Sequence, residues 1–156
     1  ILEHRSLFTD SGEVPVEPYK TQQKARIVLT GSDLTIVGMS VDLVAIHDAA
    51  LESKRRGVSV EVIDVRWLRP LDVATIVASV EKTGRLLIVD SSWQMYGLSS
   101  EIITSVCERG VDCFKAPPQR IGLPDVPCPA SQYLVKHYYP GARQIEHIAL
   151  DMMETR

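Results

Sequence analysis

Asp90, Ser91 and Ser92, with Gly97-Leu98-Ser99-Ser100 shortly after, come nearest in this chain to a reacting constellation. They follow an apolar run at residues 86–89. A strand, a tight turn bearing serine and then a helix would be the layout of a nucleophile elbow. That motif needs Gly-x-Ser-x-Gly, however, and here Glu101 stands where the second glycine belongs, so Ser99 reads as a helix N-cap. Asp90, at the carboxyl end of a strand, lies in the right region for a site in an open sheet, but a lone carboxylate specifies no reaction. The histidines (His4, His47, His137 and His147) are scattered, and His47 beside Asp48 reads as a solvated group rather than a base. Cys107, Cys113 and Cys128 form no Cys-x-x-Cys pair and have no neighbours at metal-ligand spacing. The glycines never form Gly-x-Gly, so neither a dinucleotide fingerprint nor a Gly-Lys-Ser/Thr phosphate loop is present.

The residues between those serines carry a different signal. Trp93, Met95 and Tyr96 stand on a loop at the carboxyl edge, where aromatic and methionine side chains favour a protein–protein or interdomain contact. The competing reading folds Trp93 back as a lid on the core. Tyr133, Tyr138 and Tyr139 invite the same pair of readings.

The elements that must position these groups centre on residues 58–71, VSVEVIDVRWLRPL. Val58, Val60, Val62, Ile63 and Val65 make a run too apolar for a half-solvated strand, so residues 58–65 read as a strand covered on both faces. Upstream, residues 25–30 and 34–39 read as strands around Gly31-Ser32-Asp33, a spacing that predicts a hairpin. Ser40 is placed to cap a helix over 41–56 that stops at Gly57, and Asp72 to cap one over 73–82 that stops at Gly84. Ser99 is expected to cap a helix over 100–109 that closes at Gly110. Residues 119–122 read as a last strand, followed by helices over 131–138 and 142–153. Strands separated by crossover helices imply a parallel sheet with helices on both faces.

Composition sets the outer bounds. At 156 residues the chain can bury a core of ordinary size, and 45% hydrophobic with 24% charged residues is a globular balance. A net charge of −3 with interspersed signs points to neither nucleic acid nor an anionic membrane. No apolar run approaches the roughly 18 residues of a membrane span. The three cysteines read as thiols of a reducing cytosolic or organelle-matrix compartment. The chain starts at Ile1 and is expected to be a fragment or processed product. Residues 1–24 have no period and read as an interdomain connector, with 25–156 as the domain. Leu2, Leu7, Phe8, Val14, Val16 and Tyr19 are too apolar for a free linker and are expected to lie along another domain.

Seven segments occur in the order and spacing of one module: EHRSLF…GEVPVEPY, DLTIVGMS, EVIDVRWLRPLD, TIVASVEKTGRLLIVD, SEI, APPQRIGLPDVPCP and YYP. Together they resemble the C-terminal domain of the β subunit of thiamine-diphosphate-dependent 2-oxoacid dehydrogenases of the pyruvate, branched-chain and acetoin types. The resemblance implies a transketolase C-terminal-like α/β fold: three layers and a five-stranded, mostly parallel mixed sheet whose first strand is antiparallel and lies beside the third. That arrangement competes with the hairpin. It also implies an α2β2 parent enzyme, in bacterial cytoplasm or mitochondrial matrix, that decarboxylates a 2-oxoacid on thiamine diphosphate and Mg²⁺ and passes the acyl group to lipoyl. In the family a Gly-Asp-Gly…Asn motif on the α subunit holds the cofactor. This chain has no Gly-Asp-Gly and no Asn. No catalytic, cofactor-binding or metal residue is therefore carried over, and the chain alone is expected to be inactive. Its expected work is assembly with its own N-terminal domain, the α subunit and a second β subunit, and docking of the acyltransferase component's subunit-binding domain. The candidate contact residues are Trp93, Met95, Tyr96, Tyr138, Tyr139, Asp151 and Glu154. The family's loop after the fourth strand usually carries Gly-Gly where this chain has Met95-Tyr96-Gly97.

Overall fold

Side chains alternate between two cores along three central strands, and that alternation makes the layers. The computed structural model describes residues 4–8, 11–14, 16–17, 22–110 and 112–154. Its strands are β1 (Arg26–Leu29), β2 (Leu34–Gly38), β3 (Val60–Asp64), β4 (Leu86–Trp93) and β5 (Gln119–Leu123). The helices are α1 (Asp42–Arg55), α2 (Val73–Thr83), α3 (Leu98–Cys107), α4 (Gln132–Tyr138) and α5 (Ala142–Glu154). Leu34, Ile36, Val60, Val62, Leu87 and Val89 point to one face, where Ile46 and Ala49 of α1 and Ile145, Ala149 and Met152 of α5 cover them. Val37, Ile63, Leu86 and Ile88 point to the other, under Ile76 and Val80 of α2 and Ile102 and Val106 of α3. Period-two alternation with both faces apolar is what a sheet buried on both sides requires. Among the described residues, no helix is long and apolar enough to cross a membrane.

The five strands lie in the order β1-β3-β2-β4-β5. β1 is antiparallel to β3, and the remaining pairs are parallel. This overturns the hairpin read from Gly31-Ser32-Asp33. Arg26 stands opposite Asp64 and Ile27 opposite Ile63, so β1 skips its sequence neighbour. The reason lies in the turn. Ser32 and Asp33 donate their N–H groups to the Ser59 carbonyl (3.1 and 2.8 Å), and the Asp33 carboxylate accepts the Ser59 N–H at 2.7 Å. The turn is thus fastened to the entry of β3 instead of closing on itself. Gly31 makes the close approach possible, because a Cβ there would lie 2.2 Å from the Val60 carbonyl carbon.

Glu61 and Thr35 within the layers find their partners in place. The Glu61 side chain, 1% exposed, accepts the Gly31 N–H at 3.3 Å and pairs with Lys82 of α2. Thr35 Oγ1 meets the hydroxyls of Ser79 (2.7 Å) and Thr83 (2.8 Å) beneath α2. Burial pushes the Glu61 carboxyl up, but hydrogen bonds from Lys82, Ser79 and Gly31, with the Lys82 charge, outweigh it and hold it below its ordinary 4.5.

Helix ends follow the sequence in some places and not in others. Asp72 caps α2 as expected, accepting the Thr75 N–H at 3.2 Å, and its second oxygen accepts the Ala25 N–H at 3.1 Å. Gly57 (φ +85°) and Gly84 (φ +76°) end their helices in the left-handed conformation glycine favours. Ser40 does not cap α1. It is itself left-handed (φ +52°), Val41 takes the N-cap position, and no side chain caps that turn. β4 extends to Trp93 rather than stopping at residue 89.

Two expected outcomes follow. Gly31→Ala forces backbone against backbone and should destabilise the chain by about 1–3 kcal/mol, read from the urea midpoint. Glu61, with its pKa depressed in the folded chain, contributes stability above the unfolded value of 4.5 that is lost as pH falls through the folded one. Glu61→Gln should therefore lower stability at pH 7, with the deficit against wild type shrinking in acid. A constant deficit across that range would contradict this.

Candidate functional site

The carboxyl ends of β2 and β4, where the strand order reverses, are the place an open α/β sheet offers a ligand. Here the chain itself fills it. Asp90, 6% exposed, accepts the Ser92 N–H (3.1 Å), the Ser92 hydroxyl (2.6 Å) and the Ser99 N–H (3.0 Å). Asp42, in the first turn of α1, accepts the Ser91 N–H at 3.0 Å and the Ser91 hydroxyl. Burial pushes the Asp42 carboxyl up. The Ser91 bonds partly offset that, while the Asp90 charge adds to it. The room is further closed at Gly97, where a Cβ would lie 2.3 Å from the Trp93 carbonyl oxygen and 2.6 Å from the Ser92 hydroxyl.

This corrects the expectation that Ser99 caps the helix. Gly97, not Ser99, is the N-cap of α3, and Ser99 lies within the first turn, fully buried. The cap bond runs instead from the Ser99 N–H to Asp90, a carboxylate near a helix N-terminus, which the helix dipole favours. Among the described residues, Ser99 Oγ is buried without a hydrogen-bond partner. Asp90 and Ser91–Ser92 are thus a structural clasp between α1, β4 and α3.

The aromatic and acidic contact candidates separate into several places. Trp93 is 58% exposed, so it is no lid on the core, and Met95 beside it is 57% exposed. Tyr96 is 96% exposed and holds φ +61°, a conformation a bulky residue occupies at a cost of order 1–3 kcal/mol. Tyr139 is half-exposed, whereas Tyr138 is 8% exposed and donates its hydroxyl to the Val126 carbonyl at 3.1 Å. Tyr138 therefore belongs to this chain's own packing and offers little to a partner. Tyr133, also exposed, stacks edge-on with His137 at 5.7 Å. Asp151 and Glu154 lie exposed on α5, with His147 3.5 Å from Asp151.

Among the described residues, no group of three or more His, Cys, Asp or Glu side chains could hold a metal ion. His47 lies 4.0 Å from Asp48 and His4 bonds Ser6 at 2.6 Å, both in solvent. The three cysteines are free thiols. Of the connector, Val14 and Val16 are exposed, while Leu2 and Tyr19 lie outside the described residues.

One feature had no sequence signal. A cavity of about 870 Å³ opens just beyond the ends of β2 and β3, lined by Ser40, Asp64 and Arg66 together with His4, Leu7 and Phe8. Arg66, like Ser40, is a non-glycine residue at positive φ (+56°). Burial pushes the Asp64 carboxyl up, offset in part by the Arg66 N–H at 3.1 Å and the charges of Arg66 and Arg26.

Comparison with known proteins fits this architecture. The family model of the transketolase C-terminal domain matches residues 23–145. A pyruvate dehydrogenase E1 component subunit beta from Rhizobium meliloti is 36% identical over 149 residues, covering 92% of this chain and 32% of that protein. An acetoin:2,6-dichlorophenolindophenol oxidoreductase subunit beta from Bacillus subtilis is 33% identical, covering 97% of this chain and 45% of its own length. A mitochondrial pyruvate dehydrogenase E1 subunit beta from Chaetomium thermophilum is 40% identical over 85% of this chain and 35% of its own length. The chain thus spans a third to under half of these relatives. A solved split-gene transketolase, described as an inactive beta4 tetramer, superposes with a TM-score of 0.76 at 22% identity, over 93% of this chain and 48% of its own, and so shares the fold. With the antiparallel β1 beside β3, two helical layers and a family match over most of its length, the chain belongs to the transketolase C-terminal domain family.

Proposed function

We propose that this domain is the C-terminal assembly and docking domain of the β subunit of a 2-oxoacid dehydrogenase first component. The observation that carries this reading is the run of similarity to pyruvate and acetoin β subunits across 85–97% of the chain. In it the parent enzyme, an α2β2 assembly of the bacterial cytoplasm or mitochondrial matrix, carries out thiamine-diphosphate-dependent oxidative decarboxylation and acyl transfer to lipoyl. The donor set of this domain does not fit a metal–diphosphate. Its two buried carboxylates at the strand reversal, Asp42 and Asp90, already take their hydrogen bonds from serines and the α3 backbone. The reading therefore assigns the cofactor and Mg²⁺ to other parts of the parent enzyme.

What this chain contributes is surface. The Trp93–Met95–Tyr96 loop offers large, rigid apolar groups of the kind that anchor interfaces, and Tyr139 adds a second aromatic edge. Asp151 and Glu154 on α5 suit a basic docking module through electrostatic steering. Val14 and Val16 of the 1–24 connector are exposed here and would lie along the preceding domain.

The test uses the longer β subunit mixed with its α partner, with assembly followed by light scattering. Trp93→Ala should weaken assembly by about 2 kcal/mol, a hot-spot loss, while leaving the melting temperature of the domain unchanged. Tyr96→Gly separates function from stability. It relieves the left-handed strain and should raise stability by roughly 1 kcal/mol while weakening assembly. Wild-type assembly by both variants would overturn the role given to this loop.

A further inference from the structure

We propose that the cavity at the carboxyl ends of β2 and β3 binds a small carboxylate bearing a short apolar chain. Its volume, about 870 Å³, falls in the range of small-molecule pockets. The cationic group that would meet the carboxylate is Arg66. Its contact among the described residues is Asp64, with Nε 4.0 Å from Oδ2, beyond hydrogen-bond distance. Asp64 is also approached by Arg26, which stands opposite it in the β1–β3 register. The Asp64 carboxylate thus feels two guanidinium charges, that of Arg66 in the cavity lining and that of Arg26 outside it. A guanidinium fork with unused donors is suited to a carboxylate.

The rest of the lining selects for the chain behind that carboxylate. Met39 and Leu68, with Leu7 and Phe8 of the connector, supply its apolar lining. Phe8 is 65% and Leu68 49% exposed, so apolar surface lies open around the charged floor. Inorganic phosphate could use the arginine but not that lining. Ser40 and Arg66 each lie two residues past the end of adjacent strands in the same left-handed conformation, and both line this one cavity. Paired strain of this kind is characteristic of binding sites. It draws on none of the assembly-loop residues Trp93, Met95 and Tyr96, and shares with the assembly reading only Leu7 and Phe8 of the connector.

The experiment is a titration of this chain, followed by ¹⁵N–¹H amide shifts, with hexanoate, hexanol and inorganic phosphate as probes. Hexanoate should saturate with its shifts centred on Ser40 and residues 64–68, and hexanol and phosphate should bind at least tenfold more weakly. Arg66→Gln should weaken hexanoate roughly ten- to a hundredfold, the loss of a charge-assisted hydrogen bond, with an unchanged melting curve. Arg66→Lys, which keeps the charge but not the fork, should fall between. Absence of saturation, shifts centred elsewhere, phosphate binding as tightly as hexanoate, or an unaffected Arg66→Gln would each overturn the proposal.

Discussion

Three parallel strands, β2, β3 and β4, are buried on both faces, and the rest of the structure answers to that constraint. A strand covered on both sides leaves no water for polar groups near its ends, so each must find a partner within the chain. Glu61 on β3 is the clearest case: the apolar alternation around it would make an unpaired carboxylate very costly, and Lys82 and the Gly31 amide together make it tolerable. The same bonds fasten the β1–β2 turn to β3. The antiparallel placement of β1 thus goes with the satisfaction of a buried acid.

At the other end of the sheet the same constraint decides where chemistry can and cannot occur. Asp90 and Asp42 sit where open α/β sheets often bind ligands, yet their oxygens are taken by Ser91, Ser92 and the first turn of α3. The crevice becomes a clasp. What remains outward is the loop that follows, with Trp93, Met95 and Tyr96 in solvent. Further along the same edge the cavity by Arg66 stays open. The described residues of the domain thus present an exposed aromatic loop and an open pocket.

How much of this the residues announced depends on how local the determining physics is. The two-face burial of residues 58–65, the Asp72 cap and the glycine stops at Gly57 and Gly84 were legible, because periodicity and left-handed backbone are set within a few residues. The hairpin failed because its turn residues bond across 26 or 27 positions to Ser59, a partner invisible to local spacing. Ser99 failed as a cap for a similar reason: a carboxylate nine residues earlier supplies the bond from a neighbouring strand. Tyr138 and Trp93 carry similar sequence signals, yet one is buried on Val126 and the other is exposed. Nothing in their spacing could separate them. The positive φ of Ser40 and Arg66 likewise comes from tertiary position and left no mark in residue type.

If this domain works by contact, thiamine diphosphate and Mg²⁺ are held by other parts of the parent enzyme. The most direct test is calorimetric titration of Mg²⁺–thiamine diphosphate into this chain alone, paired with a thermal melt in its presence. No heat of binding and no shift in melting temperature are expected, since the carboxylates at the strand reversal are already bonded to serines. Saturable binding at micromolar concentration would contradict this.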